Sequence, residues 1–182
     1  MEVTEQKGEL RKLINSWSKQ FPVDLKRKQE DAVFAILERL PQFVEAKNVG
    51  IYWSMPTEFF THDFIAKWFD RKSFYLPKVI GEGLEFFKFE GVEKLSPSSI
   101  KNVLEPTGTQ IAVDQLDLLI VPGVGFTVKG DRLGRGGGFY DRILTSSSVS
   151  SVALCYDFQV ITELPLEVHD ARVDLVLFYK GL

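Results

Sequence analysis

Cysteine is almost missing from this chain. Cys155 is the only one, so no intrachain disulfide can form, which fits a reducing compartment. It stands in Val152-Ala153-Leu154-Cys155-Tyr156 and reads as a small residue of a buried strand rather than a nucleophile. Histidine is nearly as scarce. His62 and His169 are the two present, and nothing in their placement gives a metal-ligand spacing. No apolar run reaches the length of a membrane span, and residues 1–20 alternate charged and apolar positions unlike a signal peptide. No membrane association and a cytoplasmic location are expected. Excess charge is also lacking. The net value of −3 weighs against broad nucleic-acid binding, which needs a basic surface, so no nucleic-acid partner is expected. There is no internal repeat, and low complexity is confined to Ser146-Ser147-Ser148, expected to be a mobile loop. Two familiar phosphate motifs are absent. No Gly-Lys-Ser or Gly-Lys-Thr ending occurs, which excludes a Walker loop. Gly134 and Gly136 fit the first two glycines of the dinucleotide fingerprint, but Phe139 stands where the third is required.

What is present suits one domain, residues 1–182, with 45% hydrophobic and 26% charged residues. Leu10, Leu13, Ile14 and Trp17 recur at helical spacing, which predicts an amphipathic helix over 3–19. Asp24 can cap a second helix with the stripe Leu25, Ala32, Val33, Ile36, Leu37 and Leu40, ending near Pro41. Residues 49–53 read as a short buried strand, and Thr61 can cap a third helix through about Phe69. Strands are expected at 73–76 and 84–89, separated by Pro77 and Gly81-Glu82-Gly83. Residues 91–108 read as loop with a short helix near Ser98. The clearest central strand is 116–121, apolar on both faces, with further strands at 150–156 and 173–179. The pattern predicts a three-layer α/β/α sandwich with a mostly parallel sheet. In such sheets ligands gather beyond the carboxyl ends of strands, so 54–58 and 122–141 are expected to line one cleft.

The second of these segments carries the chemistry. Val121-Pro122-Gly123-Val124-Gly125-Phe126 leads into Gly130-Asp131-Arg132-Leu133-Gly134-Arg135-Gly136-Gly137-Gly138-Phe139-Tyr140-Asp141-Arg142. Arginine forks match phosphate oxygens, and glycines let backbone N–H groups come close to them. A helix starting near Gly138 would add its positive end, and Asp141 could hold a metal ion shared with the phosphates. From the residues alone, three readings compete. One is a glycine-rich surface loop with solvated charges, the second an enzyme acting on a polyphosphate, such as an ATP-dependent ligase or kinase, and the third a nucleotide- or RNA-binding module in which Phe139 and Tyr140 stack bases. The overall acidity and Glu58, Asp141 and Asp174 weigh against the module.

This segment resembles the signature of the 5-formyltetrahydrofolate cyclo-ligase family, also called 5,10-methenyltetrahydrofolate synthetases. Three further patterns match in order. They are the Lys-x-x-x-Arg pair Lys7 and Arg11, the turn Ser54-Met55-Pro56-Thr57-Glu58, and His169-Asp170 followed by Val173-Asp174. The resemblance implies ATP-dependent conversion of 5-formyltetrahydrofolate to 5,10-methenyltetrahydrofolate, with ATP and a reduced folate as partners and Mg2+ as cofactor. It implies ATP contacts at Lys7, Arg11, Arg132, Leu133, Gly134, Arg135, Gly136, Gly137, Gly138, Phe139 and Tyr140. Folate contacts are implied at Trp53, Glu58, Arg135, Gly136, Gly137, Gly138 and Phe139, and metal ligation at Asp141 and Asp174. Arg135 and Arg132 carry the catalytic expectation, and a monomer is expected. Without the resemblance, Lys7 and Arg11 would read as a solvated basic face. The chain departs from the family at Phe139, where a tyrosine is common, and at Gly137, where some relatives carry lysine.

Overall fold

The structure is a computed structural model describing residues 2–98 and 103–180. Helices α1 (Val3–Gln20), α2 (Val23–Leu37) and α3 (Pro41–Glu45) precede strand β1 (Asn48–Gly50) and helix α4 (His62–Trp68). Strands β2 (Ser73–Ile80), β3 (Gly83–Lys88), β4 (Ser96–Pro97), β5 (Leu104–Glu105) and β6 (Gln110–Ile111) follow. Next come β7 (Leu118–Val121), β8 (Gly125–Phe126), β9 (Arg132–Leu133), helix α5 (Phe139–Ser146), β10 (Ser151–Leu154) and β11 (Leu175–Leu177).

Seven strands form the main sheet in the order β11-β10-β7-β1-β2-β3-β6. The first five run parallel, and β3 and β6 add an antiparallel edge. Strand alternation assigns the two faces. Leu118 and Ile120 of β7 join Val33, Leu37, Phe43, Phe64 and Ile65 from α2, α3 and α4. Leu119 and Val121 turn the other way and pack with Ile143 of α5. All four β7 residues are buried, which explains the uninterrupted apolar run. Each such side chain contributes about 1.5–3 kcal/mol of burial free energy. The result is the α/β/α layering, with a mostly parallel sheet, that the pattern predicts. Helix α1 makes a satellite cluster. Its Ile14 packs on Val124 and Leu133, beside the β8–β9 hairpin, while Leu13 and Trp17 of the same stripe stay exposed.

Several local expectations change. Pro77 lies inside β2 rather than after it. Pairing of β2 with β1 stops at Tyr75, so residues 76–80 have β3 as their sheet neighbour, and a missing N–H is tolerated on such an edge. Pro22, not Asp24, is the N-cap of α2, and no side chain caps it. Thr61 does occupy the N-cap position of α4, but its hydroxyl donates to the Tyr52 carbonyl at 2.7 Å instead of capping. Near Ser98 the chain forms the β4–β5 hairpin, with the Ser98 N–H donating to the Val103 carbonyl at 2.9 Å. The rest of the expected short helix, residues 99–102, lies outside the described residues. Ser146 belongs to α5, and the Ser147 hydroxyl donates to the Ile143 carbonyl at 2.9 Å, which ties down the start of the serine run. Among the described residues, no helix is long and apolar enough to cross a membrane.

Candidate active site

Strands β1 and β7 are parallel neighbours, so the segments leaving their carboxyl ends lie side by side. They enclose a cavity of about 280 Å³ whose walls include Trp53, Glu58, Arg132, Arg135, Tyr140 and Asp141. The β8–β9 hairpin returns the chain to deliver Arg132. Its tip is held by Asp131, which accepts from the Thr127 hydroxyl at 2.7 Å and from Arg172 Nε at 2.6 Å. Two glycines are needed on geometric grounds. A Cβ on Gly134 would lie 2.6 Å from an Arg132 guanidinium nitrogen. Gly138 has φ 64° where α5 begins, a left-handed conformation that costs other residues energy.

The two central arginines are held differently. Arg132 is only 5% exposed. One of its terminal nitrogens pairs with Asp141 Oδ2 at 2.9 Å, and the other donates to the Pro122 carbonyl at 3.3 Å. The side chain of Arg135 is 43% exposed. It reaches back across the cavity, with Nε 3.0 Å from Glu58 Oε1 and a terminal nitrogen 3.0 Å from the Thr57 hydroxyl. Glu58 is nearly buried, and its other oxygen accepts from the Met55 N–H at 2.8 Å. Arg132 is therefore part of the frame, whereas Arg135 can swing without disturbing the core.

Arg11 and Lys7 lie one helical turn apart on α1, yet meet different partners. Arg11 Nε donates to the Gly134 carbonyl at 2.7 Å, which sets its guanidinium against the glycine loop and close to Gly136. Lys7 is buried, with its ammonium 2.6 Å from Glu167 Oε2 and 2.6 and 2.8 Å from the Asp170 oxygens. Burial works to lower the Lys7 pKa, but the Asp170 and Glu167 carboxylates outweigh it and hold it above the usual lysine value. Glu167 carried no signal in the sequence. Asp170 stood in the His169-Asp170 pattern, but nothing there announced Lys7 as its partner. Leu133 turns its side chain into the cluster with Ile14, and its carbonyl accepts from the Val124 N–H at 2.8 Å within the hairpin.

The aromatic side is built from β1 outward. Trp53 stacks on His62 with centroids 3.7 Å apart and planes 13° from parallel, and it also stacks on Phe89. His62 Nε2 lies 3.1 Å from the Ser54 carbonyl, and burial lowers its pKa. His62 opens α4, and its contact with Trp53 had no sequence signal. The Phe139 ring carries the Arg142 guanidinium 5.1 Å from its centroid. Tyr140 packs against the α5 face of the sheet, and burial, reinforced by the Glu58 charge, raises its pKa.

The two aspartates do not meet. Asp141 lines the cavity, accepting from Arg132 and from the Ala171 N–H at 3.3 Å. Asp174 precedes β11, and its Oδ2 accepts from the Ser151 N–H at 2.7 Å and the Ser151 hydroxyl at 2.8 Å. Ser151 opens β10, and β7, β10 and β11 all run the same way. Asp174 thus sits at the amino ends of strands whose carboxyl ends face the cavity, at least about 10 Å away by strand rise. A cation with ligands at about 2.1 Å cannot take both carboxylates. The expectation that Asp174 shares a metal with Asp141 is corrected accordingly, and Asp174 is a strand-end clamp. Asp174→Ala should lower unfolding stability by about 1–3 kcal/mol, because it orphans a buried N–H. Asp141→Asn should raise the magnesium concentration needed for half-maximal turnover, in addition to the stability lost with its Arg132 ion pair. Parallel urea melts and magnesium titrations check both, and a magnesium shift in Asp174→Ala at unchanged stability would restore the paired site.

Comparison with known proteins is consistent with this geometry. Residues 3–179 match the model of the 5-formyltetrahydrofolate cyclo-ligase family. A probable 5-formyltetrahydrofolate cyclo-ligase of Schizosaccharomyces pombe is 29% identical over 94% of this chain and 94% of its own length. The 5-formyltetrahydrofolate cyclo-ligase of Haemophilus influenzae is 34% identical, covering 69% of this chain and 72% of its own. The solved structure of Aquifex aeolicus 5,10-methenyltetrahydrofolate synthetase superposes with a TM-score of 0.84 at 30% identity, covering 94% of this chain and 88% of that one. With a match running through nearly every element, from α1 to β11, the chain belongs to the 5-formyltetrahydrofolate cyclo-ligase family.

Proposed function

We propose that this chain closes 5-formyltetrahydrofolate to 5,10-methenyltetrahydrofolate at the expense of ATP, releasing ADP and phosphate. The observation that carries the reading is one cavity lined at once by Trp53 and Glu58 and by Arg132, Arg135 and Asp141. The first pair suits a flat, amide-bearing pterin, which an aromatic ring can flank and a carboxylate can accept from. The second set suits a polyphosphate.

The chemistry asks little of a nucleophilic side chain. The formyl oxygen attacks the γ-phosphorus, the bond to the β-phosphate oxygen breaks, and ADP leaves. N10 then adds to the formyl carbon and loses its proton, and the C–O bond breaks as phosphate departs with the electron pair. Positive charge and alignment are what the protein must supply. Arg135 reaches into the cavity from an exposed loop and can follow charge on the transferred group once it leaves Glu58. Arg11 adds a second guanidinium at the glycine loop. Lys7 would have to exchange Asp170 and Glu167 for phosphate before it could contribute.

Asp141 offers hard oxygen donors at the cavity wall, which suits magnesium, since this ion commonly takes one or two carboxylates with phosphate and water. When bound there, the cation would offset phosphate charge. Asp141 itself is oriented by Arg132 and the Ala171 N–H.

The test is absorbance at the methenyl-folate band together with ADP release. A band that needs both 5-formyltetrahydrofolate and ATP supports the reading. ADP without the band would indicate a kinase or another ligase, and binding with neither product would indicate a non-catalytic module.

A further inference from the structure

Among the described residues, two buried side-chain polar atoms have no hydrogen-bond partner, the Tyr140 hydroxyl and Arg132 Nε. Both residues line the cavity, and the Arg132 guanidinium carbon lies 5.7 Å from the Tyr140 ring centroid, so the two unused groups belong to one corner. Other buried polar side chains nearby are satisfied. The Tyr52 hydroxyl donates to the Phe59 carbonyl, the Thr61 hydroxyl to the Tyr52 carbonyl, and Glu58 accepts from Met55 and Arg135. An orphaned hydroxyl destabilises the protein that carries it, and a phenylalanine would fill the same space without that cost. A hydroxyl kept unpartnered at a cavity wall is one whose partner arrives with a ligand.

We infer that the Tyr140 hydroxyl is a catalytic donor to the formyl oxygen of the folate, a role resting on the cyclo-ligase reading above. Arg132 Nε can only donate and the Tyr140 hydroxyl can donate, so an arriving acceptor suits both groups. Tyr140, an ATP contact by the resemblance, lines the same cavity as Trp53 and Glu58, so its hydroxyl is also within the space open to the folate. A formyl oxygen has two lone pairs. One can accept from Tyr140 while the other attacks phosphorus. When the C–O bond later breaks, negative charge grows on that same oxygen, and the hydrogen bond strengthens where it helps most. Tyr140 keeps its proton throughout, the phosphate carries away the electron pair, and N10 releases the proton.

The experiment is Tyr140→Phe, read by thermal melting without ligand, by steady-state turnover, and by calorimetric titration of 5-formyltetrahydrofolate and of ATP separately. The expected result is a melting temperature equal to or above that of the parent, turnover reduced about tenfold or more, weakened folate binding, and ATP affinity within about twofold. A lowered melting temperature with unchanged turnover would mean that the hydroxyl is structural and overturns the inference. Equal weakening of ATP and folate binding overturns the assignment to the formyl oxygen. If the parent chain itself gives no methenyl product, the cyclo-ligase reading fails first. If the parent turns over and the variant matches it, only the Tyr140 role is lost.

Discussion

Arg135→Ala should lose about 10²–10³-fold in turnover while melting within a degree or two of the parent protein. The asymmetry follows from how Arg135 is held. Its side chain is 43% exposed and touches Glu58 and Thr57 rather than the core, so exposed truncation costs little stability. Its ion pair with Glu58 is half in solvent and contributes modestly for the same reason. Once the guanidinium turns into the cavity towards a transferring phosphoryl group, bound substrates displace water around it and its charge is screened less. Glu58 keeps the Met55 N–H in the variant, so the folate side remains formed. Lysine should restore only part of the rate, since an ammonium lacks the paired donors that span two phosphate oxygens. Turnover of Arg135→Ala within a few-fold of the parent would remove this residue from the mechanism.

Arg132→Ala should fail in another way, through the fold. Arg132 is 5% exposed and ties Asp141 on α5 to the Pro122 carbonyl after β7. Removing one member of a buried ion pair strands the other, at a cost of about 3–5 kcal/mol. Denaturant unfolding should show the midpoint fall without a change in slope. Asp141→Asn in the Arg132→Ala background should then cost less than it does alone, because the stranded charge is already gone, and a double-mutant cycle measures that coupling. An Arg132→Ala protein as stable as its parent would sink the framing role and leave Arg132 as a simple phosphate contact.

These two arginines also show where sequence and structure part. Both stand in one signature, and nothing in Arg132-Leu133-Gly134-Arg135 separates a frame residue from a mobile one. That difference comes from the β8–β9 pairing, which buries Arg132 and leaves Arg135 beyond the strand. The strand 118–121 was legible because its four residues are apolar on both faces, a pattern that burial on both sides explains. Pro77 misled because a local rule for proline ignores which side of a strand has a neighbour. Asp174 misled for a related reason: a carboxylate beside a strand can sit at either end of the sheet, and only strand direction decides. The charged ring around Lys7 was out of reach, since its partners lie at positions 167 and 170 and are brought there by the fold alone.

That long-range clasp bears on biosynthesis. Ile14 and Arg11 support the glycine loop from the first helix, while the acids holding Lys7 are translated long after it. A ribosome that has reached β10 has already made both arginines, Glu58 and Asp141, but has not yet made what fixes the first helix at its Lys7 end. A nascent polypeptide stopped before residue 167 would therefore present a first helix untied at its Lys7 end and an unmatched ammonium, which makes the interval before the clasp closes the natural target for chaperones and proteases.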